Sequence, residues 1–322
     1  MQELISVVIP VYNCALYLDA CLQSLQAQTW RNWEAVLVDD GSSDGSAALC
    51  DVWARKDGRV RVLHQKNAGV SAARNSGMDA ARGAYMAFVD ADDRVEPEYL
   101  EVLRRTLGDA QMSVCCVFDP SPWNETVRRE TVSVERFRTT PSRYANPVYT
   151  NYPCNKLFLT DLIRRYRLRF PVGVRRCEDA YFVQDYLLCC REIAVTPRKL
   201  YHYDQHEGSA MHRFYTGVCE DELPLMRRQY ELFHPTALGG EEEAAYGLWE
   251  FGKILSVCRY IKEYAGSDEE KREYLRRWIT APAVWRALGR CSPALGKKAP
   301  LIRLCVRLGL RSGCIRLLDR LA

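Results

Sequence analysis

Three carboxylates follow a short apolar run at residues 84–89. Asp90, Asp92 and Asp93 stand directly after it, and the run predicts a buried strand that ends at these residues. Side chains two residues apart in an extended chain point to the same side, and neighbouring carboxylates repel one another unless a cation neutralises them. Because carboxylate oxygens favour hard ions such as Mg²⁺ and Mn²⁺, the cluster predicts a metal site. An acidic turn before a helix is the alternative, since Asp is an ordinary turn residue.

A second acidic cluster has the same construction. The apolar residues 34–38 are followed by Asp39 and Asp40, and then by Gly41 and Ser42, residue types that suit a turn leading into a helix. Ligands of open α/β sheets bind at the carboxyl ends of the strands. Two acidic strand ends therefore predict one ligand-binding edge of a sheet.

The elements that would position these clusters alternate regularly along the first third of the chain. Strand patterns, each followed by helical spacing, lie at residues 5–9, 34–38, 60–64 and 84–89, and the helices at residues 16–25, 46–55, 71–82 and 97–107. Such alternation is typical of a doubly wound, mostly parallel α/β sheet with helices on both faces.

The turn after the first predicted strand lacks a glycine-rich phosphate loop. Neither Gly-x-Gly-x-x-Gly nor Gly-x-x-x-x-Gly-Lys-Ser/Thr occurs in the chain, although these patterns mark dinucleotide and P-loop sites. The turn reads Pro10, Val11, Tyr12, Asn13 instead. An aromatic ring at this place favours a stacked nucleobase, which leaves the phosphate charge to a metal at Asp92.

Composition indicates a protein of enzyme size with one large or two associated domains. The chain has 322 residues, 48% of them hydrophobic, and a net charge of +4 that does not indicate a nucleic-acid partner. Its 14 cysteines include no Cys-x-x-Cys pair, which favours buried reduced thiols over zinc ligands or disulfides. Neither a secretory signal nor an apolar run of about 20 residues is evident. We therefore expect a cytoplasmic protein.

A series of short motifs resembles the family 2 glycosyltransferases, in that family's order. The resemblance covers residues 5 to about 100 and continues more weakly to about 212. The stronger motifs lie at residues 8–13, 17–18, 24–25, 28–29, 38–42, 67–75 and 90–93, and the weaker ones at residues 155–158, 169–171, 178–182 and 201–203. The resemblance implies a GT-A fold and an inverting, metal-dependent transfer of a sugar from a nucleotide sugar, which we expect to be a UDP-sugar.

The resemblance also implies roles at the nucleotide. Pro10 and Tyr12 would lie against the uracil or its ribose, and Asp39 would bind the base. Asp40 either stabilises the turn or contacts the ligand. Arg74 would lie beside the nucleotide, with a surface arginine on an alanine-rich helix as the alternative.

Further implied roles concern the metal and the base. Asp92 would coordinate Mn²⁺ or Mg²⁺ at the diphosphate, and Asp90 would reach the ribose or a metal-bound water. Asp93 is a weaker candidate for the metal, with a cap of the following helix as the alternative. Asp179 would be the catalytic base, with Glu178 orienting the acceptor or a neighbouring group; the alternative is a pair of acidic residues that stabilise a helix N-terminus. Lys156 lies either near the site or in solvent.

Two other function classes are weaker. A sugar-phosphate nucleotidylyltransferase would need a glycine-rich loop after the first strand, which is missing. A catalytically inactive nucleotide-sugar-binding or scaffold protein would be expected to have lost Asp92 or the pair Glu178 and Asp179, and all three are present. We therefore expect a hexosyl-transferring enzyme that acts on a hydroxyl of a glycan or lipid-linked acceptor.

The predicted domains are a GT-A domain at residues 1–212 and a helical region at residues 213–322. Within the first, residues 1–100 would bind the nucleotide and residues 101–212 the acceptor. The tail at residues 294–322 has seven Lys or Arg residues and one Asp, interleaved with leucines. This pattern suits an amphipathic helix on an anionic membrane surface, and leucines packed on the protein itself are the alternative.

Overall fold

The computed structural model forms two compact units. The first comprises Met1–Arg136, Asn146–Val174 and Glu178–Gln205, and the second Phe137–Ala145, Arg175–Cys177 and His206–Ala322. The structure describes residues 3–118, 122–204, 215–233, 238–263, 266–290, 301–302, 304–305, 308–309 and 311–321.

The first unit is built on a sheet whose N-terminal half is parallel. Its strands are β1 (Ile5–Val11), β2 (Trp33–Asp39), β3 (Val60–His64) and β4 (Tyr85–Phe88), in the spatial order β3-β2-β1-β4. β1 pairs in parallel with β2 and β4, and β2 pairs in parallel with β3. The carboxyl ends of all four strands therefore lie at one edge of the sheet.

Helices follow these strands in the order that the pattern predicted. They are α1 (Leu18–Gln26), α2 (Ser46–Lys56), α3 (Val70–Ala80) and α4 (Tyr99–Leu107). Ala35 and Leu37 of β2 belong to a core cluster that contains residues of α1 and α2, whereas Val36 and Val38 pack with Ala73 of α3. Because alternate residues of one strand meet different helices, both faces of the sheet are covered, as predicted.

The second half of the sheet is mixed. It contains β5 (Arg94–Val95), β6 (Met112–Phe118), β7 (Glu130–Ser133), β8 (Lys156–Leu159) and β9 (Glu192–His202), and the strand order continues β4-β8-β6-β9-β5, with β7 paired to β9. β8 runs antiparallel to β4 and β6, and β6 and β9 run parallel. The connecting helices are α5 (Val134–Thr139), α6 (Pro141–Tyr144), α7 (Pro147–Thr150), α8 (Thr160–Arg165) and α9 (Glu178–Cys189), with a 3₁₀ turn at Pro122–Thr126. Of these, α6 and the second half of α5 belong to the second unit.

One glycine sets how closely α3 approaches the sheet. A Cβ atom at Gly77 would lie 2.4 Å from Val8 Cγ1 and 3.3 Å from Val38 Cγ2. Only a residue without a Cβ fits such a contact. Gly77 therefore holds α3, and Arg74 one turn before it, against β1 and β2.

The second unit is helical. Its helices are α10 (Val218–Phe233), α11 (Gly240–Lys262), α12 (Asp268–Thr280), α13 (Pro282–Arg290) and α14 (Arg311–Leu321). Trp278, Ile254 and Leu288 belong to its core. Among the helices that the structure describes, none is both long and apolar enough to span a membrane.

The described part of the C-terminal tail is divided between core and surface. Ile302, Cys314 and Leu318 are buried in the core of the second unit. Leu301, Leu304 and Leu308, which we call the leucine face, are 49%, 51% and 61% exposed. Lys297 and Lys298 of the predicted basic tail lie outside the described residues.

The structure differs from the predicted elements in two details. The helix predicted from residue 97 begins at Tyr99, with Glu98 as its N-cap, because the carbonyl of Pro97 accepts a hydrogen bond of 2.8 Å from the Thr29 N–H. The first strand continues through Pro10 to Val11. The cysteines of the described residues form no disulfide.

Candidate functional site

The sequence-predicted edge exists at the carboxyl ends of β1, β2 and β4. Val11 at the end of β1 lies opposite Asp39 at the end of β2, and the N–H of Asp40 donates to the Val11 carbonyl at 2.9 Å. On the other side of β1, Val89 N donates to Val8 O at 3.2 Å, directly before Asp90. These bonds bring Tyr12, Asp39 and Asp90 to the same edge of the sheet.

Asp39 is a buried carboxylate held in its charged form. It is 4% exposed; Oδ1 accepts from Ser42 N at 3.0 Å and Oδ2 lies 3.0 Å from His64 Nδ1. Burial alone would raise the pKa of Asp39, but the hydrogen bonds from His64 and Ser42 hold it below its ordinary value. The same contact raises the pKa of His64, which also lies 3.1 Å from Asp51 Oδ1. A fixed negative acceptor therefore stands at the end of β2.

Asp40 shapes the loop that leads into α3. Its carboxylate accepts hydrogen bonds from Gln65 Nε2 at 2.7 Å, Ala68 N at 2.9 Å and Gly69 N at 2.8 Å. Gly69 has φ of 90°, a conformation that disfavours side chains with a Cβ. Of the two predicted alternatives for Asp40, these contacts agree with the turn.

The turn after β1 presents Tyr12 to solvent. Tyr12 is 52% exposed, directly after Pro10 and Val11. The next residue, Asn13, has φ of 51°; its Oδ1 accepts from Ser43 N at 2.8 Å, and its own N–H donates to Ser42 Oγ at 3.1 Å. The loop after Asp39 therefore fixes this turn, in which about half of Tyr12 remains exposed.

Arg74 joins two acidic segments that are far apart in the sequence. Its Nη2 donates to Asp90 Oδ1 at 2.9 Å and its Nη1 to Glu178 Oε1 at 3.0 Å. The residue is 5% exposed, and its guanidinium carbon lies 5.1 Å from the centre of the Phe170 ring. The surface-arginine alternative is therefore wrong. Burial alone would lower the pKa of Arg74, but the surrounding carboxylates raise it well above its ordinary value.

Asn75 fixes the segment that carries this ring. Its Nδ2 donates to the Phe170 carbonyl at 2.8 Å, and its Oδ1 accepts from Phe170 N at 2.9 Å. Phe170 also stacks on Phe182 of α9, with ring centres 4.2 Å apart. Sequence reasoning gave Phe170 no role, although it lies in the Arg-Phe-Pro motif of the resemblance.

Asp179 lies in the first turn of α9, next to Glu178. It is half-buried, and its Oδ1 accepts from the N–H of Ala180 at 2.7 Å. Burial and the neighbouring Glu178 raise the pKa of Asp179 to about 7, although the charge of Arg74 acts in the opposite direction. A carboxylate with a pKa near neutrality suits general-base chemistry.

Asp93 does not cap the following helix, whose N-cap is Glu98, so that alternative is wrong. It is 2% exposed, and it accepts from the Tyr201 hydroxyl at 2.5 Å and from Asp204 N at 3.0 Å. Burial and the charges of Asp90 and Asp92 raise the pKa of Asp93 to about 8. The Tyr201 hydroxyl also accepts from Asp90 N at 3.1 Å, and thus connects β9 to the acidic turn. Tyr201 was missed as a functional position, although it belongs to a motif of the resemblance.

Asp92 is half-buried at this edge, and its charge acts on the turn after β1. Burial raises the pKa of the Cys14 thiol to about 11, and the charges of Asp92 and Asp90 add to the effect. Among the residues that the structure describes, no group of three or more His, Cys, Asp or Glu side chains could hold a metal by itself. Mg²⁺ and similar ions are commonly bound through one or two carboxylates together with substrate phosphates, and the half-buried carboxylate of Asp92 fits that donor set.

Lys156 is not in solvent, so that alternative is wrong. It is fully buried, and its ammonium donates to the carbonyls of Val148 and Tyr152 at 2.7 and 2.5 Å and to Asn155 Oδ1 at 2.8 Å. Burial lowers the pKa of Lys156 to about 7. The lysine therefore holds the segment around residues 148–152. The ring of His202 on β9 stacks on that of Phe118, with ring centres 4.1 Å apart, and its Nε2 lies 2.5 Å from Glu96 Oε1.

Comparison with known proteins places these features in one family. The family model described as Glycosyl transferase family 2 matches residues 6–167. EpsH of Bacillus subtilis (strain 168), which is named as a glycosyltransferase, is 32% identical over 228 residues, covering 69% of this chain and 66% of EpsH. Glycosyltransferase GlyG of Streptococcus pneumoniae serotype 4 is 45% identical over 115 residues, covering 35% of this chain and 38% of GlyG. The chain thus spans two thirds or less of the length of these relatives.

Solved structures show the same fold. TarS 1–349 of S. aureus, crystallised with UDP-GlcNAc, has a TM-score of 0.69 at 20% identity, covering 99% of this chain and 91% of that one. The mannosyltransferase PcManGT of Pyrobaculum calidifontis, in complex with GDP-Man and Mn²⁺, has a TM-score of 0.61 at 14% identity, covering 99% and 88%. These likenesses confirm the predicted GT-A fold, and together with the family match they support a transferase enzyme.

Proposed function

The chain belongs to glycosyl transferase family 2, and we propose that it transfers a sugar from a UDP-sugar to a hydroxyl of a glycan or lipid-linked acceptor. The transfer would depend on Mn²⁺ or Mg²⁺ and would invert the anomeric configuration. The single observation that supports this most strongly is the pair of ionic contacts made by the buried Arg74, at 2.9 Å to Asp90 and 3.0 Å to Glu178. They join Asp90, after β4, to Glu178, at the start of α9. This contact supports a single active site that contains both the binding site of the sugar donor and the catalytic base.

The donor nucleoside would lie at the ends of β1 and β2. Tyr12 has an exposed ring for the uracil, and Pro10 stands at the same edge. Asp39 remains ionised because of its contacts with His64 and Ser42, so it can accept an N–H of the base or a ribose hydroxyl. The UDP-GlcNAc complex of TarS, a protein of the same fold, is consistent with this choice of donor.

The diphosphate would lie near Asp92. A divalent ion held by Asp92 would offset the negative charge that develops on the departing nucleoside diphosphate. Asp90 keeps one carboxylate oxygen on Arg74, and its side chain is 33% exposed. It can therefore reach a ribose hydroxyl or a metal-bound water as well. The Mn²⁺ in the PcManGT complex is consistent with this proposal.

Asp179 would accept the proton of the acceptor hydroxyl. An acceptor oxygen is a poor nucleophile until its proton is removed as the bond forms, and a carboxylate with a pKa of about 7 can take that proton near neutral pH. Glu178 is fixed by Arg74, so it would orient the acceptor and keep Asp179 in place. One base acting opposite the leaving UDP gives inversion in a single displacement, without a covalent sugar–enzyme intermediate.

The leucine face supports a location on the inner face of the cell membrane. Leu301, Leu304 and Leu308 are exposed, and Arg311 and Arg316 in the same tail are exposed as well. Apolar side chains beside basic ones favour anionic bilayers, at up to about 1 kcal/mol for each Lys or Arg near the surface. A lipid-linked acceptor would then be held close to the enzyme.

A screen of nucleotide sugars tests the proposed function. Purified protein should hydrolyse or transfer from at least one UDP-sugar when Mn²⁺ is present, and UDP should bind more tightly with Mn²⁺ than with EDTA. UDP binding without turnover of any donor or acceptor would instead favour an inactive nucleotide-sugar-binding or scaffold protein. Equal UDP affinity with and without the metal would refute the role of Asp92.

A further inference from the structure

A cavity in the first unit lies at the edge of the sheet opposite the acidic residues. It has a volume of about 440 Å³ and is lined by Met78 and Asp79 of α3, Met86 of β4, and residues 160–169 in part. α3 begins at the carboxyl ends of the strands and runs back across the sheet, so its last residues reach the opposite edge. Four residues of extended chain separate Met86 from Asp90, or about 13 Å. The volume is in the range of small-molecule sites.

The lining of this cavity is basic. Arg164, Arg167 and Arg169 all line it, whereas Asp79 is the acidic residue among its lining. Arg169 pairs with Asp79. Arg164 donates to a backbone carbonyl, that of Ala81, at 2.8 Å, so its charge is not neutralised by that contact. Within the described residues, neither Arg164 nor Arg167 forms an ion pair, and the lining carries a net charge of two positive units.

The backbone holds Arg167 in a strained position. Its φ is 52°, in the left-handed region where glycine or asparagine is favoured at the end of a helix. The turn that requires this conformation is closed by Arg167 N donating to Arg164 O at 3.2 Å and Leu168 N to Ile163 O at 3.0 Å. Leu168 is buried and anchors the turn. An exposed arginine is thus presented from a fixed backbone.

A buried hydroxyl also lines the cavity without a partner. Thr160 is 1% exposed, and within the described part of the chain its Oγ1 has no hydrogen-bond partner. Its backbone N–H donates to Ala84 O at 3.0 Å, which fixes the residue at the start of α8. A buried polar atom left without a hydrogen bond is costly unless a ligand or water supplies one.

We propose that this cavity binds a phosphate group, as a second ligand site separate from the acidic edge. A phosphate monoester carries a charge near −2 at neutral pH and offers three acceptor oxygens, which matches the net charge of the lining. Guanidinium groups bind such oxygens through pairs of parallel hydrogen bonds. The Thr160 hydroxyl supplies a further donor, and Met78, Met86 and Ile163 provide apolar walls for the remainder of the molecule.

Calorimetric titration with inorganic phosphate tests the site. EDTA removes divalent ions, so that phosphate cannot bind through a metal at the acidic edge of the sheet and any binding reports the cavity. The full chain should bind phosphate, and Arg167→Asn should weaken binding about tenfold or more, since a charge-assisted hydrogen bond is lost. Asparagine tolerates the left-handed backbone, so the variant should fold. Arg165→Gln is the matched control, because Arg165 is exposed, pairs with Asp161 and is absent from the lining.

A second variant removes only the hydroxyl. Thr160→Val keeps the shape of the side chain and should also weaken phosphate binding, while the melting temperature stays the same or rises because the unpartnered oxygen is gone. The proposal is overturned if wild-type protein does not bind phosphate, or if Arg167→Asn binds it as tightly as Arg165→Gln.

The phosphate could belong to a soluble molecule or to a lipid headgroup. Co-sedimentation with phosphatidylcholine vesicles that contain phosphatidic acid separates these sources when Leu301, Leu304 and Leu308 are replaced by serine in every protein compared, so that the leucine face does not itself bind the vesicles. If Arg167→Asn loses both phosphate and vesicle binding relative to Arg165→Gln, the ligand is a lipid phosphate. If it loses only phosphate binding, the ligand is a soluble phosphate ester. Either outcome supports the site.

Discussion

Replacement of Arg74 by glutamine should damage both the stability and the pH dependence of the enzyme. The side chain is 6% exposed and forms ion pairs of 2.9 Å with Asp90 and 3.0 Å with Glu178. Removal of one partner from a buried ion pair costs about 3–5 kcal/mol, because the remaining charge stays buried. Since the Asp90 side chain is 33% exposed and water can solvate it, we expect the lower end, about 3 kcal/mol.

The catalytic consequence follows from the charge of Arg74. That charge lowers the pKa of Asp179 against the effects of burial and Glu178, so the pKa of Asp179 should rise further in Arg74→Gln. A base accepts a proton only when ionised, and the wild-type rate should therefore fall as the pH drops through about 7. In the variant this fall should begin at a higher pH, and activity should partly recover as the pH is raised.

The assay is kcat/KM against pH at saturating Mn²⁺, together with chemical denaturation to measure the free energy of unfolding. Arg105→Gln is the control, since Arg105 is 75% exposed and pairs with Glu101 on the same helix. Arg74→Lys should bring the pH at which activity falls closer to that of the wild type than it brings the free energy of unfolding. Lysine keeps the positive charge but cannot form both ion pairs with the geometry of a guanidinium. If Arg74→Gln is folded and its kcat/KM falls at the same pH as that of the wild type, Asp179 is not the base.

Four further predictions concern other side chains of the chain. Asp179→Asn should lower turnover by a factor of about a hundred or more with UDP affinity unchanged; near-normal turnover would make Glu178 the next candidate. Asp92→Asn should abolish transfer and weaken UDP binding only when Mn²⁺ is present, as measured by titration with and without EDTA. Lys156→Met should destabilise the protein by about 1–3 kcal/mol, because three oxygens lose their donor and two of these contacts are buried. Since the buried lysine has a pKa of about 7, below its value in the unfolded chain, the unfolded state binds more protons above pH 7. Wild-type stability should therefore rise with pH from 7 towards 10, and less steeply in the variant. Serine at all three positions of the leucine face should release the protein from anionic liposomes at low salt without loss of transfer to a soluble acceptor, whereas unfolding of this variant would show that the face packs on the protein.

The parallel half of the fold could be predicted because its signals are local. The four predicted strands and four helices all exist, and their ends differ from the prediction by two residues or fewer, as where β1 continues to Val11 and the first helix begins at Leu18. The order of β5 to β9 could not be predicted in the same way. Their antiparallel pairings, such as Met86 with Phe158, join segments far apart in sequence, and no short pattern encodes them.

In the candidate site, too, contacts between residues far apart in sequence could not be predicted. Strand ends could be placed at one edge because parallel strands share their direction, and the structure confirms that Asp39 and Asp90 lie there. The burial of Arg74 could not be deduced, since an arginine on an alanine-rich helix is usually exposed; its partner Glu178 is 104 residues away. Asp93 likewise has its partner in β9, at Tyr201, whereas capping is a local rule.

The excess of negative charge in the site explains why base and metal would act together. Asp90, Glu178 and Asp179 all surround the single guanidinium of Arg74, and the pKa of Asp179 is raised to about 7 as a result of burial and of Glu178. Nearby positive charge favours the ionised form of a carboxylate. A divalent ion that enters with the donor would therefore relieve the excess and shift Asp179 towards the form that accepts a proton. Asp90 after β4 and the acidic residues at the start of α9 thus act on the same guanidinium, and in the proposed mechanism donor binding would prepare the base.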